Sequence, residues 1–158
     1  MNLLFVCTHN ACRSILAEAI TRATAGDRIR VASAGSHPAG RIHPLTVQYL
    51  AASGLPADGL HSKGFGDLGD FRPDVVVTAC DSAAKESCPV WLAYDAITVH
   101  WGLPDPSHLD GSPADREAAF QAVSHTLEAR IRALLDGPFE TMDSHALKRL
   151  LDSLGQLD

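Results

Sequence analysis

Leu3-Leu4-Phe5-Val6 is a short, unbroken apolar run, and no other stretch constrains the fold of this chain as strongly. A half-exposed strand alternates apolar with polar residues, whereas a strand that is apolar throughout needs cover on both faces of its sheet. Behind it Ile15, Leu16, Ala19, Ile20 and Ala23 recur at helical spacing from Ser14 onward, and Gly26 stops the pattern. Ile29 to Ser33 reads as a second strand with Ala34-Gly35 as the turn beyond it. His43 to Ser53 reads as a helix closed by Gly54, Val75-Val76-Val77 as a third strand, and Ala96 to His100 as a fourth. Pro113 then opens a long helix running to Leu135, a position that proline tolerates. This alternation predicts an α/β fold: a parallel sheet with helices on both faces. Ligands of such sheets bind at the carboxyl ends of strands, and Cys7, Cys80 and Asp105 all lie just past predicted strands.

With 158 residues, the chain is long enough for one well-buried core. Residues 1–136 are expected to form the folded body. Gly137-Pro138 ends the long helix, and residues 137–158 are expected to add a helical extension packed on the body, with Leu147, Leu150, Leu151 and Leu154 as its apolar stripe between Ser144 and Leu154. A net charge of −6 argues against nucleic acid or an acidic membrane surface as partner. No apolar run is long enough to span a bilayer, and the first residues lack the features of a secretory signal, so a cytoplasmic location is expected. In a reducing compartment the four cysteines, Cys7, Cys12, Cys80 and Cys88, point to catalysis, redox chemistry or metal binding ahead of a disulfide framework. No HExxH or paired CxxC is present and the histidines show no ligand spacing, so no metal site is expected.

Cys7 is followed by Thr8-His9-Asn10-Ala11-Cys12, then Arg13 and Ser14. A strand, a tight loop and a helix N-terminus turn successive backbone amides toward one point, where a tetrahedral oxyanion is favoured. Arg13 can add a permanently charged, bidentate clamp. The same field stabilises a thiolate at Cys7, and Ser14 can donate a hydrogen bond to it. The plainer alternative is a buried structural cysteine that happens to sit near an arginine. His9 either contacts the anion or faces solvent. Cys12 either packs under the loop or, with Cys7, offers a pair of metal ligands. Asp105, between Pro104 and Pro106, is turn chemistry if taken alone; beside an anion loop it is a candidate proton donor.

CTHNACRS resembles the phosphate-binding loop of the low-molecular-weight protein tyrosine phosphatases and of the arsenate reductases that share their fold. VASAGSHPAG resembles the family's second-strand segment and WGLPDPS its late Asp-Pro loop, so the likeness covers about residues 1 to 135. It implies a three-layer fold with a four-stranded parallel sheet in the order 2-1-3-4. It also implies that Cys7 is the nucleophile, that Asp105 is the general acid, and that residues Thr8, His9, Asn10, Ala11, Cys12, Arg13 and Ser14 bind the oxyanion. VVVTACDSAAKESCP matches the reductase pattern of a strand, a cysteine, a short polar stretch and a cysteine before proline. Ser107 and His108 stand where the phosphatases usually place a tyrosine after Asp-Pro.

On this resemblance the chain is a thiol-coupled arsenate reductase of residues 1–136. Cys7 attacks arsenate, Cys80 then attacks Cys7, and Cys88 carries the disulfide outward to an external reductant, thioredoxin or glutathione with glutaredoxin. No tightly bound cofactor is needed, and phosphate or sulfate would compete for the loop. A phosphatase of phosphate monoesters and a non-catalytic oxyanion or redox sensor remain as alternatives. A continuous helix over residues 80–88 would separate the two Cα atoms by about 12 Å, against about 7 Å for a disulfide, so the segment is expected to unwind on oxidation. Some of these reductases hold a potassium ion beside the loop, with Asn, Glu, Ser and Asp ligands. Asn10, Glu18 and Ser33 match three of them, while Lys63 stands near the place of the aspartate, with Asp67 close by. The expectation is that the Lys63 ammonium takes the cation's place, pairing with Glu18 and orienting Asn10. The alternative is a solvated surface lysine.

Overall fold

The computed structural model describes residues 1–81, 83 and 95–158. Strands β1 (Asn2–Cys7), β2 (Arg30–Gly35), β3 (Val75–Thr78) and β4 (Ile97–His100) form one sheet in the order β2-β1-β3-β4. All three pairings are parallel. Leu3, Leu4 and Phe5 of β1 and Val75, Val76 and Val77 of β3 have no exposed surface. Neighbouring side chains on a strand point to opposite faces, so burial at every position means that both faces of these central strands are covered. The continuous apolar runs thus encode the three-layer architecture directly.

Outside the sheet lie helices α1 (Arg13–Ala25), α2 (Pro44–Ser53), α3 (Pro113–Asp136) and α4 (Ser144–Leu154). α3 starts from a capping box: the Ser112 hydroxyl accepts from the Asp115 amide at 3.1 Å, and the Asp115 carboxylate accepts from the Ser112 amide at 3.1 Å. Together these satisfy two otherwise orphaned donors. No helix among the described residues is long and apolar enough to cross a membrane.

Most boundaries differ from the sequence expectation by a residue or so, and the shift at the end of β2 bears on the site. β2 continues through Ala34-Gly35, which reads as a turn, because Gly35 is still paired with Cys7 and its amide donates to the Lys63 carbonyl at 2.9 Å. A Cβ added at Gly35 would lie 2.6 Å from the Thr8 carbonyl oxygen and 2.9 Å from the Asn10 nitrogen. Glycine is needed there so that the strand can run tight against the loop after β1.

Leu147, Leu151 and Leu154 of α4 are buried, and Leu150 packs at the margin of the core. The indole of Trp101, just past β4, donates to the Leu151 carbonyl at 2.9 Å. Arg130 of α3 lies over the Trp101 ring at 5.8 Å and donates through Nε to the Leu157 carbonyl at 2.8 Å. The C-terminal helix is therefore tied to the strand that leads toward Asp105.

Candidate active site

Cys7 is the last residue of β1, and residues 8–12 form a loop that delivers the chain into α1. The carbonyls of that loop are drawn outward: the His37 amide donates to Thr8 at 2.8 Å, the Ala39 amide to His9 at 2.9 Å and the His43 amide to Ala11 at 3.0 Å. In a planar trans peptide the C=O and the following N–H point in opposite directions. The amides of His9, Asn10 and Cys12 consequently face the inner side of the loop, where several N–H dipoles converge. Asn10 adopts a left-handed backbone with φ of 48°, a conformation that asparagine tolerates. Its side chain is fixed at both ends, Oδ1 accepting from the Lys63 amide at 2.9 Å and Nδ2 donating to Ser14 Oγ at 2.7 Å.

Ser14 Oγ lies 2.8 Å from Cys7 Sγ. Because that oxygen already accepts from Asn10, its own proton is free to point at the sulfur. The Asn10–Ser14–Cys7 chain is buried throughout. Cys12 in the same loop is set apart. Burial is the largest influence on its thiol and pushes it up to about 12. A group held so high stays protonated at neutral pH.

Arg13 and Asp105 face each other across the loop, Nη2 to Oδ2 at 3.6 Å, and Arg13 Nη1 donates to the Leu103 carbonyl at 3.0 Å. Asp105 caps the short turn Pro106–His108: its Oδ1 accepts from the Ser107 amide at 3.0 Å and from the Ser107 hydroxyl at 2.6 Å. Burial raises the Asp105 carboxyl, but the Ser107 hydrogen bonds and the charges of Arg13 and His108 together outweigh it, leaving it below its ordinary value of 3.8. At rest it is a carboxylate. A cavity of about 190 Å³ opens between these groups, lined by Cys7, Thr8, His9, Ala11, Cys12, Arg13, Ala39, His43, Asp105, Ser107 and His108. His9 is exposed at its edge. Asn10 and Ser14, expected among the oxyanion-binding residues, stand behind the loop with their side chains committed to it.

Glu18, almost wholly buried, anchors a second layer behind the loop. Its carboxylate accepts from Ser33 Oγ at 2.6 Å and Arg22 Nη2 at 2.8 Å, and Lys63 Nζ approaches to 3.9 Å. Lys63 is 8% exposed, so the expectation of a solvated surface lysine fails. Its ammonium is held by Glu18 and by the His61 carbonyl at 3.3 Å. The orienting of Asn10 is corrected as well, since the Lys63 main-chain amide, not the ammonium, contacts it. The Lys63 side chain has its proton affinity lowered, first by burial and then by Arg22, with Glu18 and Asp67 opposing. Two cationic side chains already face Glu18, so these residues do not fit a further cation such as potassium. Among the described residues no group of three or more His, Cys, Asp or Glu could hold a metal ion.

Cys80 lies two residues past β3, and the β1–β3 register that pairs Val6 with Thr78 brings it beside the start of the loop. Its sulfur is 3.6 Å from Thr8 Oγ1 and accepts from the Ala83 amide at 3.4 Å. Cys88 lies outside the described residues, as does most of the 80–88 segment whose unwinding the sequence predicts. Three contributors escaped the sequence reading. Ser107 could have been found as the residue two after an aspartate, the spacing of an Asx turn. His43 directly precedes a proline-initiated helix, which marks it as an N-cap. The Leu103 carbonyl leaves no trace in a side-chain pattern.

The model of the low molecular weight phosphotyrosine protein phosphatase family matches residues 2–149. An arsenate reductase of Bacillus licheniformis is 31% identical over 134 residues, covering 82% of this chain and 91% of that protein. A glutaredoxin arsenate reductase of Synechocystis sp. is 27% identical over 133 residues, covering 84% of this chain and 95% of that protein. Among solved structures, a thioredoxin-dependent arsenate reductase of Corynebacterium glutamicum superposes with a TM-score of 0.63 at 29% identity. That match covers 85% of this chain, which spans 60% of the length of the Corynebacterium protein.

Proposed function

Because this chain belongs to the low molecular weight phosphotyrosine protein phosphatase family, we propose that its oxyanion pocket serves the reduction of arsenate to arsenite by a thiol–disulfide relay through Cys7, Cys80 and Cys88. The observation that carries this reading is a second buried thiol, Cys80, within 3.6 Å of the hydroxyl of the residue next to Cys7. A hydrolytic phosphatase has no step for such a thiol, whereas a relay requires one at this place. The identity with arsenate reductases over most of the chain supports the same substrate.

The inward amides of the loop and the Arg13 guanidinium hold the oxyanion, while the Ser14 hydroxyl directs its hydrogen bond at the Cys7 sulfur, the attacking atom. Cys7 Sγ attacks arsenic, a bond to oxygen breaks, and that oxygen leaves as water with a proton from Asp105. Asp105 rests ionised, but an incoming oxyanion claims Arg13 and brings negative charge beside the carboxyl. Both changes favour the protonated form. Cys80 then attacks Cys7 Sγ: a sulfur–sulfur bond forms, the sulfur–arsenic bond breaks, and its electron pair reduces arsenic from the pentavalent to the trivalent state. Attack of Cys88 on Cys80 releases Cys7 as thiolate and leaves a Cys80–Cys88 disulfide, which an external dithiol or glutathione reduces. Asn10, Glu18, Ser33 and Lys63 support the loop, with the Lys63 ammonium as its resident cation. No tightly bound cofactor enters this cycle, and the need for reduced thiols fits a cytoplasmic location.

The test is arsenate-dependent NADPH consumption, measured with thioredoxin and its reductase and, separately, with glutathione, glutaredoxin and glutathione reductase. Turnover by the wild type that is lost in Cys88→Ser supports the relay, and the more active system identifies the reductant. The presence of Arg13 and Asp105 on one cavity also suits hydrolysis of phosphate monoesters. Fast aryl phosphate hydrolysis with no arsenate turnover would put that reading first. Binding of oxyanions without either reaction would make the chain a sensor.

A further inference from the structure

α2 begins with Pro44, and its N-cap is His43 rather than the usual Ser, Thr, Asp or Asn. The cap is made by the ring: His43 Nδ1 accepts from the Leu45 amide at 3.1 Å. The main-chain amide of the same residue donates to the Ala11 carbonyl at 3.0 Å, so His43 is fastened both to its helix and to the anion loop. A ring nitrogen that accepts a hydrogen bond carries no proton. The imidazole proton therefore resides on Nε2, which makes that nitrogen a donor. His43 lines the same cavity as Cys7, Arg13 and Asp105. With Nδ1 occupied by the cap, Nε2–H is the one polar group the ring has left to offer there.

From this we infer that His43 is an oxyanion-contacting residue, its Nε2–H donating to an oxygen of a tetrahedral anion such as phosphate or arsenate held in the loop. It supplies a neutral donor of fixed tautomer beside the permanently charged Arg13. The other titratable groups on the cavity have different situations. His108 Nδ1 approaches the Asp105 carboxylate at 3.6 Å, Cys12 is buried, and His9 is exposed. A donor that serves the bound anion in ground and transition states alike changes affinity more than turnover.

This inference rests on the oxyanion pocket of the proposed function, but not on arsenate being reduced there. His43→Asn retains a capping oxygen for the Leu45 amide and shortens the side chain so that the Nε2 donor is removed; His43→Ala removes both. Binding of inorganic phosphate to the whole chain, followed by calorimetry, is the direct readout, with KM and kcat for arsenate beside it and Tm as a control. The expected result for His43→Asn is phosphate binding weakened about tenfold or more, the scale of one hydrogen bond to a charged group. Its Tm should match the wild type, and KM for arsenate should rise in parallel with little change in kcat. Phosphate binding equal to wild type in His43→Asn overturns the inference and leaves His43 as a cap alone. A wild type that fails to bind phosphate overturns it together with the pocket. A wild type that binds phosphate but does not reduce arsenate removes the relay, while the binding loss in His43→Asn still decides for His43.

Discussion

The carboxyl ends of β1 and β3 lie side by side in the sheet, and each delivers a buried cysteine to the same corner of the molecule. Their surroundings are unlike. Cys7 sits in a loop fixed from three sides: by outer amides on its carbonyls, by Asn10 and Ser14 behind the sulfur, and by the Glu18 cluster beneath. Cys80 is held by two long contacts, to Thr8 Oγ1 at 3.6 Å and from the Ala83 amide at 3.4 Å. Such contacts are readily exchanged for another partner. A nucleophile that must meet arsenic at a set distance needs the first environment. A resolving thiol that must move onto another sulfur needs the second.

The sharpest way to break this contrast is to delete each sulfur in turn. Cys7→Ser is expected to reduce both arsenate turnover and aryl phosphate hydrolysis below about a thousandth of wild type, since both need the thiolate. Cys80→Ser should abolish steady-state arsenate reduction equally, yet leave aryl phosphate hydrolysis within about twofold. Equal loss of hydrolysis in Cys80→Ser would show that the two strand ends are not functionally separate.

A second test addresses the support beneath Cys7. Lys63→Met removes the more distant of the two cations on the buried Glu18, at 3.9 Å, while Arg22 stays at 2.8 Å, so a stability loss of about 1 kcal/mol is expected. Urea unfolding should show that loss, whereas exchanging sodium for potassium salts should leave the wild-type rate unchanged. A clear potassium activation would contradict the role given to the Lys63 ammonium. The two cysteines within the loop should also differ in labelling. With its thiol pushed up to about 12, Cys12 should remain unmodified by iodoacetamide at pH 7.5 in the folded protein, as peptide mass spectrometry would report.

The smallest expected effect concerns the acid loop. The Asp105 carboxyl is held below its ordinary value of 3.8, so the fold binds its proton less tightly than the unfolded chain does. The stability it contributes is therefore complete above about pH 4 and is lost as pH falls through the lowered value. The stability difference between wild type and Asp105→Asn should shrink when unfolding is repeated from pH 5 down to pH 3.

The parts of this molecule that could be read from its sequence are those encoded within a few neighbouring residues. The unbroken apolar runs Leu3–Val6 and Val75–Val77 specify strands covered on both faces. The stretch from Cys7 to Ser14 contains, within a single strand–loop–helix passage, the thiol, the amides, the guanidinium and the hydroxyl that the chemistry requires. What could not be read depends on partners distant in sequence. Ala34-Gly35 is strand because Cys7 and Lys63 come to meet it. The burial of Lys63 follows from Glu18, and no local pattern distinguishes it from a surface lysine. The Leu103 carbonyl acts as a main-chain acceptor for Arg13 and so has no residue type of its own.

The central claim is that Cys7 becomes oxidised by its substrate and that Cys80 receives the bond. The most direct measurement is a single turnover of Cys88→Ser with one equivalent of arsenate and no external reductant, quenched with alkylating agent and mapped by peptide mass spectrometry. The relay predicts one equivalent of arsenite per chain and a Cys7–Cys80 disulfide that accumulates because nothing can carry it onward. Arsenate recovered unchanged, with Cys7 and Cys80 both alkylated as free thiols, would contradict it.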